Sequence, residues 1–410
     1  MSATALLLGT FDTKGDEYAF VRAAILARGM QVITMDLGIL GGAPSFAVDI
    51  SAEDVAIAGG TRLDELRARA DRGVAVDAMT SGARALAAQL FAAGRFDGVL
   101  GLGGGGGTTM ITAAMRELPV GVPKVMVSTM ASGNTAPYVD VKDITMMYSV
   151  VDIAGLNPIS ERVLGNAAGA ICGMLDGAPS VPARVRRPMI AATMFGVTTP
   201  CVTAARKRLE AAGYDVIVFH ATGSGGRAME GLIGDGYFAG VLDATTTEWC
   251  DEVVGGVLSA GPDRLSAAAR RGIPQVVSVG ALDMVNFGAA ETVPAQFRDR
   301  LFYRHNATVT LMRTTPDECR EIGRRIMAQL ARATGPVVLM LPLRGVSMLD
   351  AEGQPFYDAA ADRALFASLR EHAAAHVEIR EVDAHINDPA FAEALADALV
   401  VLLGAAKELH

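Results

Sequence analysis

Short runs of β-favouring apolar residues alternate along the chain with longer segments rich in Ala, Arg and Leu, the pattern of βαβ units built on a parallel sheet. In the first half the runs predict strands at Ala5–Gly9, Gln31–Asp36, Gly98–Gly101, Lys124–Ser128 and Asp143–Tyr148. The segments between them predict helices at Asp16–Ala27, Thr61–Arg72, Ser81–Ala93, Thr108–Arg116 and Asn157–Leu175. The stretch Asp176–Pro188 holds three prolines and no apolar period, so a domain boundary is expected there. The pattern then restarts. Met189–Met194 reads as a strand, Gly196–Pro200 as a turn into a helix ending near Ala212, and Tyr214–Phe219 as the next strand. Further strands are expected at Gly240–Asp243, Gln275–Val279, Thr308–Met312, Val337–Leu341 and Val377–Val382. The expected fold class is α/β: two doubly wound, mainly parallel-sheet, Rossmann-like domains, 1–182 and 186–410, facing each other across a cleft.

Composition narrows the function. A chain of 410 residues fits two domains at roughly 100–200 residues each. With 51% hydrophobic residues and a mean hydropathy of +0.32, it has ample material for two cores, which excludes a disordered chain. Lys+Arg 36 against Asp+Glu 45 gives a net charge of −9 with no basic stripe, so no nucleic-acid partner is expected. Cys172, Cys201, Cys250 and Cys319 show no CxxC spacing and read as reduced, buried small residues. The N-terminus reads as a first strand and not a signal peptide, and no run of about 18 apolar residues appears, so neither export nor a membrane span is expected. The expectation is a cytoplasmic protein, forming a symmetric homodimer as many α/β proteins do.

The candidate chemistry begins with Gly101-Leu-Gly-Gly-Gly-Gly-Gly-Thr-Thr109, between a strand and a helix. Consecutive glycines let several backbone N–H groups converge on one anion, and the following helix N-terminus adds partial positive charge. The run is neither a dinucleotide fingerprint, since no acidic residue ends the next strand, nor a Walker A loop, since Gly107 stands where Lys is needed. Its expected phosphate-cradling residues are Gly103, Gly104, Gly105, Gly106, Gly107 and Thr108; the alternative is a close-packing turn. Thr10, Asp12, Thr13 and Lys14 follow the first strand, where open α/β sheets bind ligands. The two threonines can bond phosphate oxygens, Lys14 can neutralise charge, and Asp12 can hold Mg²⁺ through water; alternatively Asp12 or Thr13 caps a helix. Ser132 and Gly133, in a polar loop after the fourth strand, are candidates to close over the same ligand.

In the second half, polar residues crowd the expected strand ends. His220 opens a glycine-rich, anion-capable turn, and Asp243 and Glu248 follow the next strand. His305-Asn306, Arg344, and His385 with Asn387 and Asp388 complete the set. His220, Glu248, Arg344 and His385 are the candidate catalytic residues: a histidine beside a carboxylate to move a proton, and an arginine fork for a carboxylate or phosphate. The alternative is that Asp388 caps a helix and His385 packs in its loop. His372 and His376 sit four apart on an expected solvent-facing helix, without the glutamate spacing of a zinc protease.

The blocks GTFDTKGDE, GLGGGGGTT, FHATGSGGRAME, DATTTEWCDEVVGG, GIPQVVSVGALDMVNF, HNATVTLMRTT and HINDPAF together resemble the bacterial relatives of the N-terminal module of the tomato mosaic virus resistance protein. Ala244 is a mild departure from that family's pattern. The resemblance covers nearly the whole chain and implies two Rossmann-like domains, with ATP bound in the first. The plant relative's additional barrel module is not expected here, nor is its antiviral role. Two functions follow as expectations: an ATP-binding enzyme acting on a small oxygenated metabolite between the domains, or a nucleotide-gated protein-binding module without catalysis.

Overall fold

Ala5 and Leu7 point into one core and Leu6 and Leu8 into another, so the first strand is apolar throughout because both of its faces are covered. In the computed structural model, which describes residues 2–177 and 187–408, this strand is β1 (Thr4–Gly9). The chain divides into two compact units, Met1–Pro182 and Ala183–His410. Residues 178–186, inside the stretch that the sequence marks as a boundary, lie outside the described residues.

In the N-terminal unit β1 is followed by α1 (Phe11–Leu26), β2 (Gln31–Asp36), α2 (Ala52–Ala58), α3 (Leu63–Arg69), α4 (Arg72–Ala92) and β3 (Gly98–Gly103). Then come α5 (Gly105–Arg116), β4 (Lys124–Ser128), α6 (Ala136–Val139), β5 (Thr145–Tyr148) and α7 (Pro158–Asp176). The sheet order is β2-β1-β3-β4-β5, every pair parallel. Helices α1 and α7 bury Val21, Ile25, Leu164 and Ile171 on one face. Helices α2 to α5 bury Val55, Leu66, Met79 and Ile111 on the other. The chain leaves β1 for β2 on one side, and β3 lies on the other. The crevice that binds ligands in such sheets therefore opens at the carboxyl ends of β1 and β3.

The C-terminal unit runs β6 (Met189–Met194), α8 (Thr199–Ala211), β7 (Asp215–His220), α9 (Ser224–Gly234), β8 (Gly240–Thr245), α10 (Glu248–Val254), α11 (Ser266–Arg271) and β9 (Gln275–Gly280). It continues through β10 (Met284–Phe287), β11 (Phe302–Arg304), β12 (Thr310–Arg313), α12 (Pro316–Leu330), β13 (Val337–Pro342), α13 (Ala359–Glu371), β14 (Val377–Val382) and α14 (Pro389–Glu408). Its main sheet has the order β14-β13-β9-β8-β6-β7, all parallel. Counted from β6, that is the N-terminal order with one strand added. Both units are doubly wound α/β folds. Helix α14 is long and apolar enough to cross a membrane by composition alone, yet Phe391, Leu395, Leu399 and Leu403 bury in the core against α8 and the sheet.

Several expected elements change. The helix expected to start at Asp16 starts at Phe11, because the Asp36 carboxylate accepts from the Phe11 N–H at 3.0 Å and caps it from β2. The helix expected over Thr61–Arg72 is α3 alone: Ala70 turns left-handed at φ 51° and Asp71 caps a separate α4. The strand expected over Thr308–Met312 is β12, and it leaves the main sheet to pair antiparallel with β10 and β11. His372 and His376 do not share a helix, since α13 ends at Glu371 and His376 lies in the turn before β14.

Candidate functional site

A cavity of about 840 Å³ opens at the crevice of the N-terminal unit, within the size range of small-ligand pockets. Thr10, Asp12, Thr13 and Lys14 line it from the start of α1, and Gly104 to Gly107 from the start of α5. An apolar wall comes from Leu37 and Ile39 after β2 and from Leu66, Val76, Met79 and Met110 on α3, α4 and α5. Behind it, glycines and one buried tyrosine set how closely β1, β3 and α5 pack. The Tyr18 hydroxyl donates to the Leu8 carbonyl at 2.7 Å and accepts from the Leu102 N–H at 2.7 Å, bridging β1 and β3 just where they part. A Cβ on Gly9 would stand on that hydroxyl, so only glycine fits. At Gly101 a Cβ would meet Ile111 at 2.4 Å, and at Gly103 the Gly107 backbone at 3.0 Å. These two glycines let α5 settle tightly on β3.

Gly104 to Gly107 are different. A Cβ on Gly105 would have nothing within 4 Å; on Gly104, Gly106 and Gly107 the nearest atoms would be 3.7, 3.5 and 3.8 Å away. None of the four has a positive φ. Packing therefore does not require glycine here, and glycine inside a helix costs about 1 kcal/mol per residue relative to alanine. The first intrahelical bond is Thr108 N–H to the Gly104 carbonyl at 2.8 Å, and no side chain caps α5. The N–H groups of Gly105, Gly106 and Gly107 thus have no acceptor within the helix. They carry its positive end into the cavity.

The carboxylates beside the cavity are arranged unequally. Asp12 Oδ2 accepts from the Leu40 N–H at 2.8 Å, while Oδ1 is buried with no hydrogen-bond partner. Gly38 makes room for it, as a Cβ there would lie 2.4 Å from the Asp12 carboxyl carbon. Burial pushes Asp36 above the usual carboxylate range, its bonds from Phe11 and Gly38 N–H oppose this, and the charge of Asp12 adds to it. Among the described residues no cluster of three or more His, Cys, Asp or Glu side chains could hold a metal ion.

Several residues singled out from the sequence stand elsewhere. Gly103 is buried in β3 and does not line the cavity. Thr108 is fully buried, its Oγ1 2.6 Å from the Ser128 Oγ, so its side chain joins α5 to β4 and faces no ligand. Ser132 and Gly133 are exposed in the loop after β4 and outside the cavity. Lys14 does line the cavity, but its ammonium donates to the Ile153 carbonyl at 2.5 Å. The cavity residues that sequence reasoning missed are Arg67, Arg72 and the apolar wall. The one local signal for Arg72 is the Asp71 cap that starts α4, with Oδ1 accepting from the Gly73 and Val74 N–H groups.

Three of the four candidate catalytic residues are engaged in separate internal bonds, and the fourth, His220, makes a ring contact. Glu248 is wholly buried: Oε1 accepts from the Gly223 and Gly226 N–H groups at 2.7 and 3.1 Å, and Oε2 from Arg264 Nε at 2.6 Å. Arg264 also forks onto Asp243 at 2.5 and 2.7 Å and reaches Glu230 at 3.2 Å. Burial works against the Arg264 charge, but Asp243 and Glu248 more than offset it and hold it protonated. Arg344 is exposed and forks onto Asp383 at 2.8 and 2.7 Å. His385 Nδ1 accepts from the Asn387 N–H at 3.1 Å, so Nε2 carries the proton and donates to the Ser347 carbonyl at 2.8 Å. Asp388 accepts from the His385 N–H at 2.8 Å in the turn before α14. Asn387 ties this loop to the Val197 carbonyl and the Cys201 N–H. His220 is exposed at the end of β7, its ring 5.4 Å from that of Phe195. Glu248 and His385 therefore tie loops of the rim together, and Arg344 is taken up by an exposed ion pair.

A second polar cluster lies inside the C-terminal unit. Arg313 Nη2 meets Asp362 at 2.7 Å and Asp350 at 3.4 Å. Ser347 Oγ donates to Asp283 Oδ2 at 2.7 Å, while Asp283 Oδ1 is buried without a partner. Burial, then the charge of Asp350, pushes Asp283 and Asp362 up to about 7, against the pull of Arg313.

Comparison with known proteins agrees with this architecture. Residues 3–180 match the N-terminal domain and residues 187–403 the C-terminal domain of the Uncharacterised protein family (UPF0261). A UPF0261 protein of Clostridium tetani is 52% identical over 405 residues, covering 98% of this chain and 100% of its own. One of Rhizobium meliloti is 52% identical over 390 residues, covering 95% and 96%. The ToMV resistance protein Tm-1(GCR237) of Solanum lycopersicum is 46% identical over 309 residues, covering 74% of this chain but only 41% of its own length. The crystal structure of Acinetobacter baumannii MurG matches at 11% identity with a TM-score of 0.21, covering 100% and 95%, too low to carry any argument. The two domain matches and the near full-length bacterial relatives make this chain a member of the UPF0261 family.

Proposed function

We propose that the N-terminal unit binds ATP, with phosphates against the Gly105, Gly106 and Gly107 N–H groups and the base against the apolar wall of Leu37, Ile39, Leu66 and Met79. The observation that carries this reading is that Gly104 to Gly107 have no packing reason to be glycine, which leaves close approach of a ligand to the backbone as their physical reason. Asp12, which lines the same cavity, would hold through water the Mg²⁺ that accompanies the phosphates. The expected experiment is calorimetric titration with Mg·ATP. Wild type binds, and Gly105→Val, whose side chain meets open space in the fold, loses binding while keeping its melting temperature. Equal affinities for the two proteins would refute the placement.

Of the two fates for bound nucleotide, a conformational signal to a partner protein is favoured over turnover on a small metabolite. The supporting observation is that Glu248, Arg344 and His385 are occupied by internal bonds. The purified protein should then turn over ATP no faster than the Gly105→Val variant; a clear excess in wild type would restore the enzyme reading.

A further inference from the structure

Three cations line the N-terminal cavity: Lys14, Arg67 and Arg72. Two are already spoken for. Lys14 leaves the helical backbone track of α1 (φ −134°, ψ 29°) and places its ammonium on the Ile153 carbonyl. One turn on, Glu17 accepts from the Gly155 N–H at 2.6 Å, so the two residues together pin the 153–155 loop to α1. Arg67 donates from Nε to the Ile39 carbonyl at 2.7 Å and lies 3.8 Å from Asp64. Arg72 is the first residue of α4, its backbone fixed by the Asp71 cap. Its guanidinium has no hydrogen bond or ion pair among the described residues. A Cβ built on Gly106 would stand 3.5 Å from its Nη2, which sets the arginine fork beside the uncapped start of α5.

We infer that Arg72, and not Lys14, is the side chain that binds the outer phosphates of a nucleoside polyphosphate in this cavity. The inference rests on the nucleotide reading above and deepens it. The α5 N–H groups hold one phosphate, and a planar guanidinium beside them is matched to two oxygens of the next. A lone monophosphate is satisfied by the helix end and has little use for Arg72. The site therefore selects for the length of the phosphate chain, and Lys14 is a positioning residue for the 153–155 loop.

The test is titration of Mg·ATP and of AMP into wild type, Arg72→Ala and Lys14→Met. Arg72 is exposed, so its removal should leave the melting temperature unchanged. Loss of a charge-assisted fork should weaken ATP about ten- to hundredfold while AMP stays within about threefold of wild type. Lys14→Met should weaken ATP less than Arg72→Ala does. Unchanged ATP affinity in Arg72→Ala, an equal loss for ATP and AMP, or a larger loss in Lys14→Met would each overturn the assignment. Wild type that binds no ATP would instead remove the nucleotide reading itself, so the two failures are told apart by the first titration.

Discussion

Two glycine-rich turns in this chain look alike in sequence and differ in what fills them. In the C-terminal unit, the turn into α9 is already occupied: the Glu248 carboxylate accepts from the Gly223 and Gly226 N–H groups and is locked by Arg264. Its glycines have packing reasons. Gly223 has a φ of 78°, a Cβ on Gly225 would lie 1.9 Å from the His220 carbonyl oxygen, and one on Gly226 2.3 Å from Glu248. In the N-terminal unit the turn into α5 has no such internal anion, and its glycines meet open space. A glycine run thus signals a place where the backbone is approached closely. Whether the approaching group is the protein itself or a ligand is decided by asking what a side chain would strike.

This contrast is best broken by substitution, starting where the effect is largest. Glu248→Ala removes the internal anion and leaves Arg264 short of one partner and two buried N–H groups unsatisfied. It should destabilise the C-terminal unit by about 3–5 kcal/mol. The chain has a single tryptophan, Trp249, buried in that unit's core, so its emission during thermal unfolding reads this loss. Gly225→Ala should lower the same transition by about 2–3 kcal/mol through overpacking. Gly105→Ala, the matched change in the other turn, meets open space and should cost nothing, raising stability by up to about 1 kcal/mol. A large loss in Gly105→Ala would mean that the first turn, too, is glycine for packing.

A pH dependence follows from buried carboxylates around Trp249. Burial raises Asp251, Asp283 and Asp362 from an ordinary 3.8 to about 7, all in the C-terminal unit. Between those values the folded state keeps protons that the unfolded chain has released. Their stabilising contribution is therefore full below 3.8 and lost as pH rises through about 7. The Trp249 melting temperature should fall between about pH 5.5 and about pH 8, and Asp283→Asn should flatten that slope. An unchanged slope in Asp283→Asn would move the titration to other groups.

Much of the fold was legible because strands are short β-favouring runs, largely apolar inside the sheets (β4, β6) and mixed with polar residues at their edges (β2, β14); all four begin and end where the sequence places them. What escaped depends on partners distant in the chain. The early start of α1 needs Asp36, 25 residues away. The departure of β12 from the main sheet needs β10 and β11, which are short and lie in a long connection. Half of the cavity was legible, since Thr10 to Lys14 and Gly104 to Gly107 follow strands directly. The other half comes from α3 and α4, whose positions are fixed only by packing of Leu66, Met79 and Ala83 in the core. The sequence showed the C-terminal turn as anion-capable, and so it is; that its anion is Glu248, 25 and 22 residues from Gly223 and Gly226, is visible only in three dimensions.

The most direct measurement is a crystal structure of the full chain grown with Mg·ATP. Phosphate oxygens within about 3 Å of the Gly105, Gly106 and Gly107 nitrogens, with Glu248 still on Gly223 and Gly226, is the result expected. Nucleotide bound anywhere else, or phosphates in the α9 turn with Glu248 displaced, would contradict the distinction between the two turns.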